Sequence, residues 1–387
     1  MKRLLLFFAL LCFAVFIHPA TVNAAVVREK MRVVYGFDRE FPPFSFEEAG
    51  GTPTGFEVEL IQAIFKDSVN LAMRPLQWDI VPLELSSGTI TVTSGMVRTE
   101  QRAKIYEFSN RPTLPLQIRL FTKVYNRFPN ATFLRGQTVS VEQGSYAHRL
   151  LENYGGVNIK TFPDKITPLR ALFHDEVSAY CGVVPTSYFY MNKLNYTGIT
   201  SLGTPLGITE MRFAVNRDRG DILRMLNQGF EEVVKSGEYD RLYRKWFVTD
   251  LSDSEQKALH DAAMQAVLSA YAPYSGRGHG AAVLTATGKI YSACTVENAD
   301  TRLSLSAITA AVSQAVTASD IELRGVVCVD AKGKIITPGP EESQFLFEFG
   351  KGVLAIVEDT PGQVKTLMMS DLLDKPVIRA VDYSNVR

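Results

Sequence analysis

The sequence has little of several features that would assign a protein to a functional class at once. Its formal net charge at pH 7 is zero, from 41 basic and 41 acidic residues, so the basic excess typical of proteins that bind nucleic acid or an anionic membrane surface is missing. It also has no internal repeat or low-complexity tract. With 387 residues, the chain is long enough for two or three domains with full hydrophobic cores.

Cysteine is scarce, with four residues in the chain. Cys12 lies in the apolar N-terminal run and is not preceded by the small residue of a lipoprotein processing site. The remaining three, Cys181, Cys294 and Cys328, are odd in number, so no disulfide framework can be assigned. We expect them to be buried and unpaired.

The longest apolar run is confined to the first residues of the chain. Lys2 and Arg3 precede an apolar run from Leu4 to Ile17, and the small-residue segment Val-Asn-Ala follows at residues 22–24. This order is typical of an export signal that is cleaved after residue 24. The run is too short to span a bilayer comfortably, which disfavours an uncleaved anchor. The sequence therefore predicts a signal peptide at residues 1–24 and a mature protein outside the cytoplasm.

Strand-like and helical patterns alternate along the chain, which predicts an α/β fold. A helical stripe of apolar residues runs from Ile222 to Val234 and ends before Gly237, as expected for a helix packed on a core. The strand-like runs before residue 250 are Arg32–Phe37, Ile90–Thr93, Thr138–Val141 and Arg212–Val215.

The stretch Trp78–Asn110 contains the first candidate for a binding residue. Its strand-like part gives way at Ser94-Gly95 to a helix that is predicted to begin near Thr99. Arg102 then falls in the first helical turn, where the helix dipole disfavours a cation and favours an anion. The guanidinium and nearby backbone N–H groups are suited to a carboxylate. The alternative is a solvated surface arginine.

This stretch resembles the bacterial extracellular solute-binding proteins of the polar amino-acid type. The resemblance covers about residues 30–248. It implies a two-lobed periplasmic binding protein of type II-like fold at residues 25–249, with lobe two at about residues 122–206 and crossings near residues 113–121 and 203–208. It also implies hinge closure on the ligand, and an inner-membrane ABC permease or a sensor as partner. Besides the first stretch, the matching segments are Gly36–Phe46, Gly55–Ile64, Val139–Leu151 and Gly237–Phe247.

The resemblance also implies a set of cleft residues. Arg102 matches the family's carboxylate-binding arginine, Ser94 and Gly95 match strand-end contacts, and Phe41 matches an aromatic that packs on the ligand. Asp38 matches an acidic residue at the mouth, Ser145 a carboxylate contact of lobe two, and Tyr146 follows in the same segment. Two of these have simpler alternatives, because Asp38 can cap a turn and Phe41 can be ordinary core.

Two positions depart from the family pattern. Val97 stands where many members carry a hydroxyl residue, and Val183 stands where they carry the aspartate that binds the ligand's ammonium group. A buried ammonium without an anion costs several kcal/mol. The sequence therefore favours a carboxylate or other anion without a zwitterionic head. Some relatives of the fold are dehydratases with a carboxylate base in this region, and Val183 cannot act as one.

A new domain is predicted at residues 250–387. Ser252 and Glu255 form a capping-box pattern at the start of a helix. Residues 255–380, with the stretch Ala270–Asp300 in particular, resemble cytidine deaminases, which implies an α/β/α layered domain. Its strands are expected at Ala281–Thr285, Ile290–Val296, Gly325–Val329 and Val353–Val357, and its central helix is expected to include Leu303, Leu305 and Ser306.

The residues that deamination needs are missing from this second segment. Deaminases hold zinc with a histidine or cysteine and a cysteine pair, and a glutamate transfers protons. The aligned positions are Ser306, Gly339 and Glu342 for the ligands and Ile308 for the glutamate. We therefore expect no metal, no cofactor and no deamination, and a structural role for Glu297.

The leading hypothesis is a non-enzymatic periplasmic protein that closes on a small carboxylate-bearing metabolite for ABC-type uptake or sensing. The deaminase-like segment would be a catalytically inactive accessory domain, and because active deaminases are oligomers it favours a homodimer. The alternatives are an interaction or sensor protein that has lost small-molecule chemistry in both parts, or a deaminase or dehydratase enzyme.

Overall fold

The computed structural model describes residues 30–126, 128, 131–360, 362–373, 376–377 and 381–382. The predicted signal peptide lies outside these residues. Within them, no helix has both the length and the apolar character needed to cross a bilayer.

Strands and helices alternate through the first 250 residues, as the sequence predicts. The strands are β1 (Arg32–Asp38), β2 (Glu40–Phe41), β3 (Ser45–Glu47), β4 (Pro53–Thr54), β5 (Asn70–Leu76), β6 (Val92–Val97), β7 (Tyr106–Phe108), β8 (Leu114–Lys123), β9 (Thr138–Glu142), β10 (Asn158–Phe162), β11 (Ala179–Val183), β12 (Ile199–Ser201) and β13 (Gly207–Asn216). The helices are α1 (Phe56–Phe65), α2 (Val81–Ser87), α3 (Glu100–Ala103), α4 (Tyr146–Tyr154), α5 (Ile166–Phe173), α6 (Val184–Lys193), α7 (Gly220–Lys235) and α8 (Glu238–Phe247).

The remaining elements form the C-terminal part. Its strands are β14 (His279–Thr285), β15 (Ile290–Cys294), β16 (Leu323–Asp330), β17 (Leu354–Thr360), β18 (Gln363–Met368) and β19 (Val381–Asp382). Its helices are α9 (Asp253–Val267), α10 (Ala307–Thr317) and α11 (Pro340–Phe347).

Two long antiparallel strands connect the two lobes of the N-terminal part. In the described residues the main sheet has the order β10-β9-β11-β8-β13-β6-β1-β5. Strands β8 and β13 pair from Leu114 and Met211 to Ile118 and Gly207. Lobe one is built on the parallel strands β1, β5 and β6, and lobe two on β9, β10 and β11. The chain therefore crosses between the lobes along β8 and back into β13.

Strand β6 does not end where the sequence pattern indicates. The predicted run stopped at Thr93, whereas β6 continues to Val97. Its pairing with β13 shifts register between Arg212 and Ala214, so that Ser94 and Gly95 lie opposite a single residue. Gly95 has a φ of 67°, which favours glycine. The Ser94-Gly95 pair is thus a β-bulge, which redirects a strand beside the cleft, and the predicted strand end was wrong.

Helix α7 packs on lobe one as its apolar stripe predicts. Ile222, Leu226 and Phe230 are fully buried in the same core as the α1 residues Leu60 and Ile61. The helix ends at Lys235, two residues before Gly237, which has a φ of 77°.

The C-terminal part is an α/β/α layered domain. Its sheet has the order β15-β14-β16-β17-β18. Helix α10 packs on one face, where Val283 and Val326 point, and α9 packs on the other, with Ala282 and Val327. A β-carbon at Gly280 would lie 2.1 Å from the carbonyl oxygen of Ala263, so α9 rests directly on β14.

Two expectations for this domain were wrong in part. Leu303 and Leu305 do not belong to the central helix, because α10 begins only after Ser306, whose side chain caps it by accepting from the Thr309 N–H at 3.1 Å. Both leucines are exposed, by 69% and 42%. The three described cysteines are free, but Cys294 is only half-buried.

The C-terminal domain contacts lobe one and a crossing strand. The Lys351 ammonium pairs with Asp240 at 2.9 Å and lies over the rings of Tyr239 and Tyr243 on α8, at 4.6 and 4.2 Å. Near the end of the chain, β19 pairs with the first two residues of β13. The domain thus touches an element that joins the lobes.

The capping box at the start of α9 generates a stability prediction. The Ser252 hydroxyl accepts from the Glu255 N–H at 3.3 Å, and the Glu255 carboxylate accepts from the Ser252 N–H at 2.9 Å. Ser252→Ala removes the first bond, so we expect it to lower the free energy of unfolding by about 1 kcal/mol. Urea unfolding of the full chain, followed by circular dichroism, measures this change. Ser313→Ala, at an exposed position inside α10, is the control and should be close to neutral; equal effects of both substitutions would contradict the prediction.

Candidate ligand-binding cleft

A cleft lies between the lobes, where several strands end. Asp38 ends β1, Val97 ends β6, Glu142 ends β9 and Val183 ends β11, and all four line it. Carboxyl ends of strands meet at one edge in α/β sheets, which is where such folds bind ligands. Leu116 and Ile118, on the crossing strand β8, line it between the two lobes.

Seven of the eight predicted site residues line this cleft. They are Asp38, Phe41, Gly95, Val97, Arg102, Ser145 and Tyr146. The exception is Ser94, which belongs to the β-bulge and does not line the cleft. Its side chain is buried and shares a 2.6 Å hydrogen bond with the Tyr35 hydroxyl.

Arg102 is held in place by its own helix and by an aromatic ring. The Thr99 side chain caps α3 by accepting from the Arg102 N–H at 3.1 Å, as the sequence predicts. The guanidinium donates to the Val97 carbonyl at 3.1 Å and lies 5.6 Å from the centre of the Trp78 ring. Burial, together with the nearby Arg149, lowers the pKa of Arg102 to about 10. The side chain remains charged at neutral pH, at a cost that an anion would offset.

Arg149 brings a second cation to this end of the cleft from lobe two. It belongs to α4, and its guanidinium lies 4.7 Å from the centre of the Tyr146 ring. Among the described residues, neither Arg102 nor Arg149 has a carboxylate within 4.0 Å. The buried Nε of Arg149 also has no hydrogen-bond partner there. Sequence reasoning missed Arg149, because only the fold brings α3 and α4 together.

Ser145 is the N-cap residue of α4, so its hydroxyl is not free. Its side chain donates to the Glu142 carbonyl at 2.9 Å and accepts from the His148 N–H at 3.1 Å. Both roles of the hydroxyl are therefore used within the protein. The first backbone N–H groups of α4, which have no partner inside the helix, are the donors that remain at this point.

A buried ion-pair cluster occupies another part of the cleft, and of its three residues only Asp38 was predicted from the sequence. The Lys165 ammonium donates to Asp38 Oδ2 and, at 2.6 Å, to Glu142 Oε1. It also lies 5.0 Å from the centre of the Phe41 ring. Burial disfavours the charged ammonium, but the two carboxylates outweigh this and raise the pKa of Lys165. Burial raises the pKa of Glu142, against the attraction of Lys165.

Further contacts join the lobes beside this cluster. The Thr186 hydroxyl of lobe two donates to the Pro42 carbonyl at 2.7 Å, and the Tyr190 hydroxyl donates to the Glu40 carbonyl at 3.0 Å. Lobe two therefore holds the segment after β1 through both hydrogen bonds and charge.

The deaminase-like domain does not assemble a set of metal ligands at the aligned positions. Ser306 and Gly339 are the residues that precede α10 and α11, and the Glu342 carboxylate accepts from the Gly339 N–H at 3.2 Å. Across the described residues, no group of three His, Cys, Asp or Glu side chains is placed to hold a metal ion. A catalytic zinc needs three protein ligands, so these residues do not fit zinc.

Glu297 has partners within the protein. Its carboxylate accepts from the backbone N–H groups of Tyr274 and Ser275, at 2.8 and 3.1 Å. These bonds hold the loop that follows α9.

Two family models match the chain. Residues 33–249 match the bacterial extracellular solute-binding proteins, family 3. Residues 239–336 match the cytidine and deoxycytidylate deaminase zinc-binding region.

Individual relatives agree with this division. The L-cystine-binding protein TcyJ of Escherichia coli (strain K12) is 29% identical over 231 residues, which cover 58% of this chain and 86% of that protein. A cytidine deaminase of Mycobacterium tuberculosis (strain ATCC 25618 / H37Rv) is 34% identical over 123 residues, which cover 32% of this chain and 90% of that enzyme.

Among solved structures, an ancestral arginine-binding protein bound to arginine superposes with a TM-score of 0.53 at 28% identity, over 56% of this chain and 99% of that one. The family match covers more than half of the chain and coincides with the two lobes and their cleft. The chain therefore belongs to the bacterial extracellular solute-binding proteins, family 3, and continues into a cytidine deaminase-like domain.

Proposed function

We propose that this protein binds a small solute that carries a carboxylate group and presents it to an inner-membrane ABC permease or to a sensor. The observation that carries the proposal is the half-buried Arg102 guanidinium, which lines the cleft without a carboxylate partner among the described residues. Relatives named as binding proteins for L-cystine and arginine support a ligand related to an amino acid.

The charges around Arg102 support an anion rather than a neutral solute. Arg102 belongs to lobe one and Arg149 to lobe two, and the positive charge of Arg149 adds to the effect of burial in lowering the pKa of Arg102. A carboxylate between the lobes would relieve this repulsion. Ligand binding would then favour closure, since the anion interacts with groups on both sides.

The chemistry of Arg102 is suited to a carboxylate. The guanidinium can form two parallel hydrogen bonds to a planar carboxylate. Gly95 lines the cleft at the bulge of β6, and Tyr146 lies across from it at the start of α4. We propose that Gly95, Arg102 and the start of α4 hold the carboxylate while Phe41, Val97 and Tyr146 contact the rest of the ligand.

Export to the periplasm is part of this proposal. It rests on the residues 1–24 pattern and on the family, whose related proteins carry the descriptions periplasmic and extracellular. The domain boundary near residue 250 is proposed from the capping box at Ser252 and the separate core around α10.

For the C-terminal domain we propose an accessory role without catalysis. Ser306, Ile308, Gly339 and Glu342 stand at the positions that deamination requires, and they cannot supply a zinc-bound water or a proton-transferring glutamate. A homodimer through this domain is the proposed partner interaction, supported by exposed apolar side chains at one end of it. These are Leu268, Tyr271, Tyr274, Val296, Leu303 and Leu305.

Two alternatives belong to other classes. An interaction or sensor protein that has lost small-molecule binding is favoured by Val97 and Val183, which remove polar groups from the cleft. It is opposed by the half-buried charge of Arg102 in the cleft. An enzyme of deaminase or dehydratase type would need a metal site or a base at Val183, and neither position supplies one.

Arg102→Ala tests the proposed carboxylate contact. A ligand present at a hundred times its dissociation constant adds about 2.7 kcal/mol to the folded state, which raises Tm by several degrees. We expect a carboxylate from a panel of amino acids, carboxylic acids, nucleosides and bases to raise the Tm of the parent. Arg102→Ala should bind it with about 3 kcal/mol less free energy, because a buried charged contact is lost. Differential scanning fluorimetry and calorimetric titration provide the two readouts.

Arg98→Ala is the matched control, because Arg98 lies on the exposed surface just before α3. It should leave the ligand-induced shift unchanged. If nucleosides alone shift the Tm, and do so equally in the parent and Arg102→Ala, the functional site is in the C-terminal domain and the proposal is wrong.

Metal analysis tests the catalytic assignment of the C-terminal domain. We expect the purified protein to hold far less than one zinc per chain after incubation with zinc and desalting, because Ser306, Gly339 and Glu342 provide a single carboxylate. Atomic emission spectrometry measures the metal, and an active zinc enzyme treated in parallel is the control. Stoichiometric zinc or turnover of cytidine would contradict the assignment.

A further inference from the structure

The Lys165 side chain lies inside the cleft and bridges two carboxylates from different lobes. Lys165 immediately precedes α5 in lobe two, and its residue is only 8% exposed. Its ammonium donates to Asp38 of lobe one, 127 residues away in the chain, and to Glu142 of lobe two at 2.6 Å. All three residues line the cleft.

The surroundings of this ammonium are those that proteins build for a bound amine. It forms ion pairs with two carboxylates and lies 5.0 Å from the centre of the Phe41 ring. The arrangement therefore combines ion pairs with a cation–π contact. Asp38 is fixed in turn, because its other oxygen accepts from the Glu40 N–H at 2.9 Å. The subsite is therefore complete with the chain's own cation.

A ligand ammonium entering the same place would find both carboxylates already hydrogen-bonded to the Lys165 ammonium. Asp38 and Glu142 already interact with Lys165, which would repel a second cation in a site screened from water. The aligned position where relatives carry an acidic residue holds Val183, which also lines the cleft and offers no charge. Arg102 and Arg149 add further positive charge at the other end.

We propose that Lys165 is an internal ammonium group that occupies the amine subsite between Asp38 and Glu142, and thereby selects carboxylates that lack an amino group. The selectivity rests on the proposed function, in which the ligand carboxylate binds Arg102. The existence of the amine subsite does not rest on it and can be tested separately.

Chemical complementation tests the amine subsite. Lys165→Ala removes the ammonium and the three carbons that carry it, and leaves two buried carboxylates without their cation. We expect a lower Tm that is raised by n-propylammonium in a saturable way, whereas n-propanol and tetramethylammonium at equal concentration have no such effect. The parent and Lys160→Ala, which alters an exposed lysine of the same lobe, should not respond. Asp38→Asn in the Lys165→Ala background should weaken the response to n-propylammonium at least tenfold.

Matched ligands test the selectivity. For an amino acid and its des-amino analogue, which share carboxylate and side chain, we expect the parent to bind the analogue at least tenfold more tightly by calorimetric titration. In Lys165→Ala the preference should reverse. Lys165→Gln keeps an N–H donor between the carboxylates, so it provides the same comparison if Lys165→Ala does not fold. In Lys165→Gln we expect the preference for the des-amino analogue to be at least tenfold smaller than in the parent.

The outcomes separate this inference from the proposed function. A folded Lys165→Ala protein that ignores n-propylammonium overturns the amine subsite, and a parent that binds amino acids as tightly as their des-amino analogues overturns the selectivity. A protein that shows complementation but binds no carboxylate supports the subsite and overturns the proposed function.

Discussion

The arrangement of charge in a cleft shielded from water is the constraint on which this structure depends. Cations there are stable only with anionic partners, and the protein treats its cations in two ways. Lys165 is neutralised by Asp38 and Glu142, which come from both lobes. Arg102 is half-buried, lies over the Trp78 ring and has no such partner among the described residues. Because Arg102 has no carboxylate partner whereas Lys165 has two, the cleft favours an anion, and it favours that anion beside Arg102.

The fold places these charges through a few irregular features. The bulge at Ser94-Gly95 turns the end of β6 toward the cleft, so that Val97 can accept from the Arg102 side chain. The paired crossing strands β8 and β13 connect the two lobes at the base of the cleft. The C-terminal domain contacts α8 through Lys351 and contacts β13 through β19. The C-terminal domain thus contacts both lobe one and a strand that joins the lobes.

Local patterns were sufficient for much of this architecture. The Thr99 cap, the Ser252 capping box and the stripe of α7 are encoded within a few residues, so the sequence predicted them correctly. The predicted end of β6 was wrong because the strand continues through a β-bulge at Gly95, and a glycine at this point is typical of a strand end. The paired roles of Lys165, Glu142 and Arg149 were out of reach, because contacts across 23 to 127 residues depend on tertiary packing and leave no periodic signal. Leu303 and Leu305 were assigned to a helix on hydrophobicity, although a serine cap starts that helix after them.

The most direct test is a crystal structure of the mature chain grown with the carboxylate that raises its Tm most. We expect one carboxylate bonded by both arms of the Arg102 guanidinium and by the Gly95 N–H, with Lys165 still between Asp38 and Glu142. A ligand bound in the C-terminal domain, or a ligand amino group in place of the Lys165 ammonium, would contradict it.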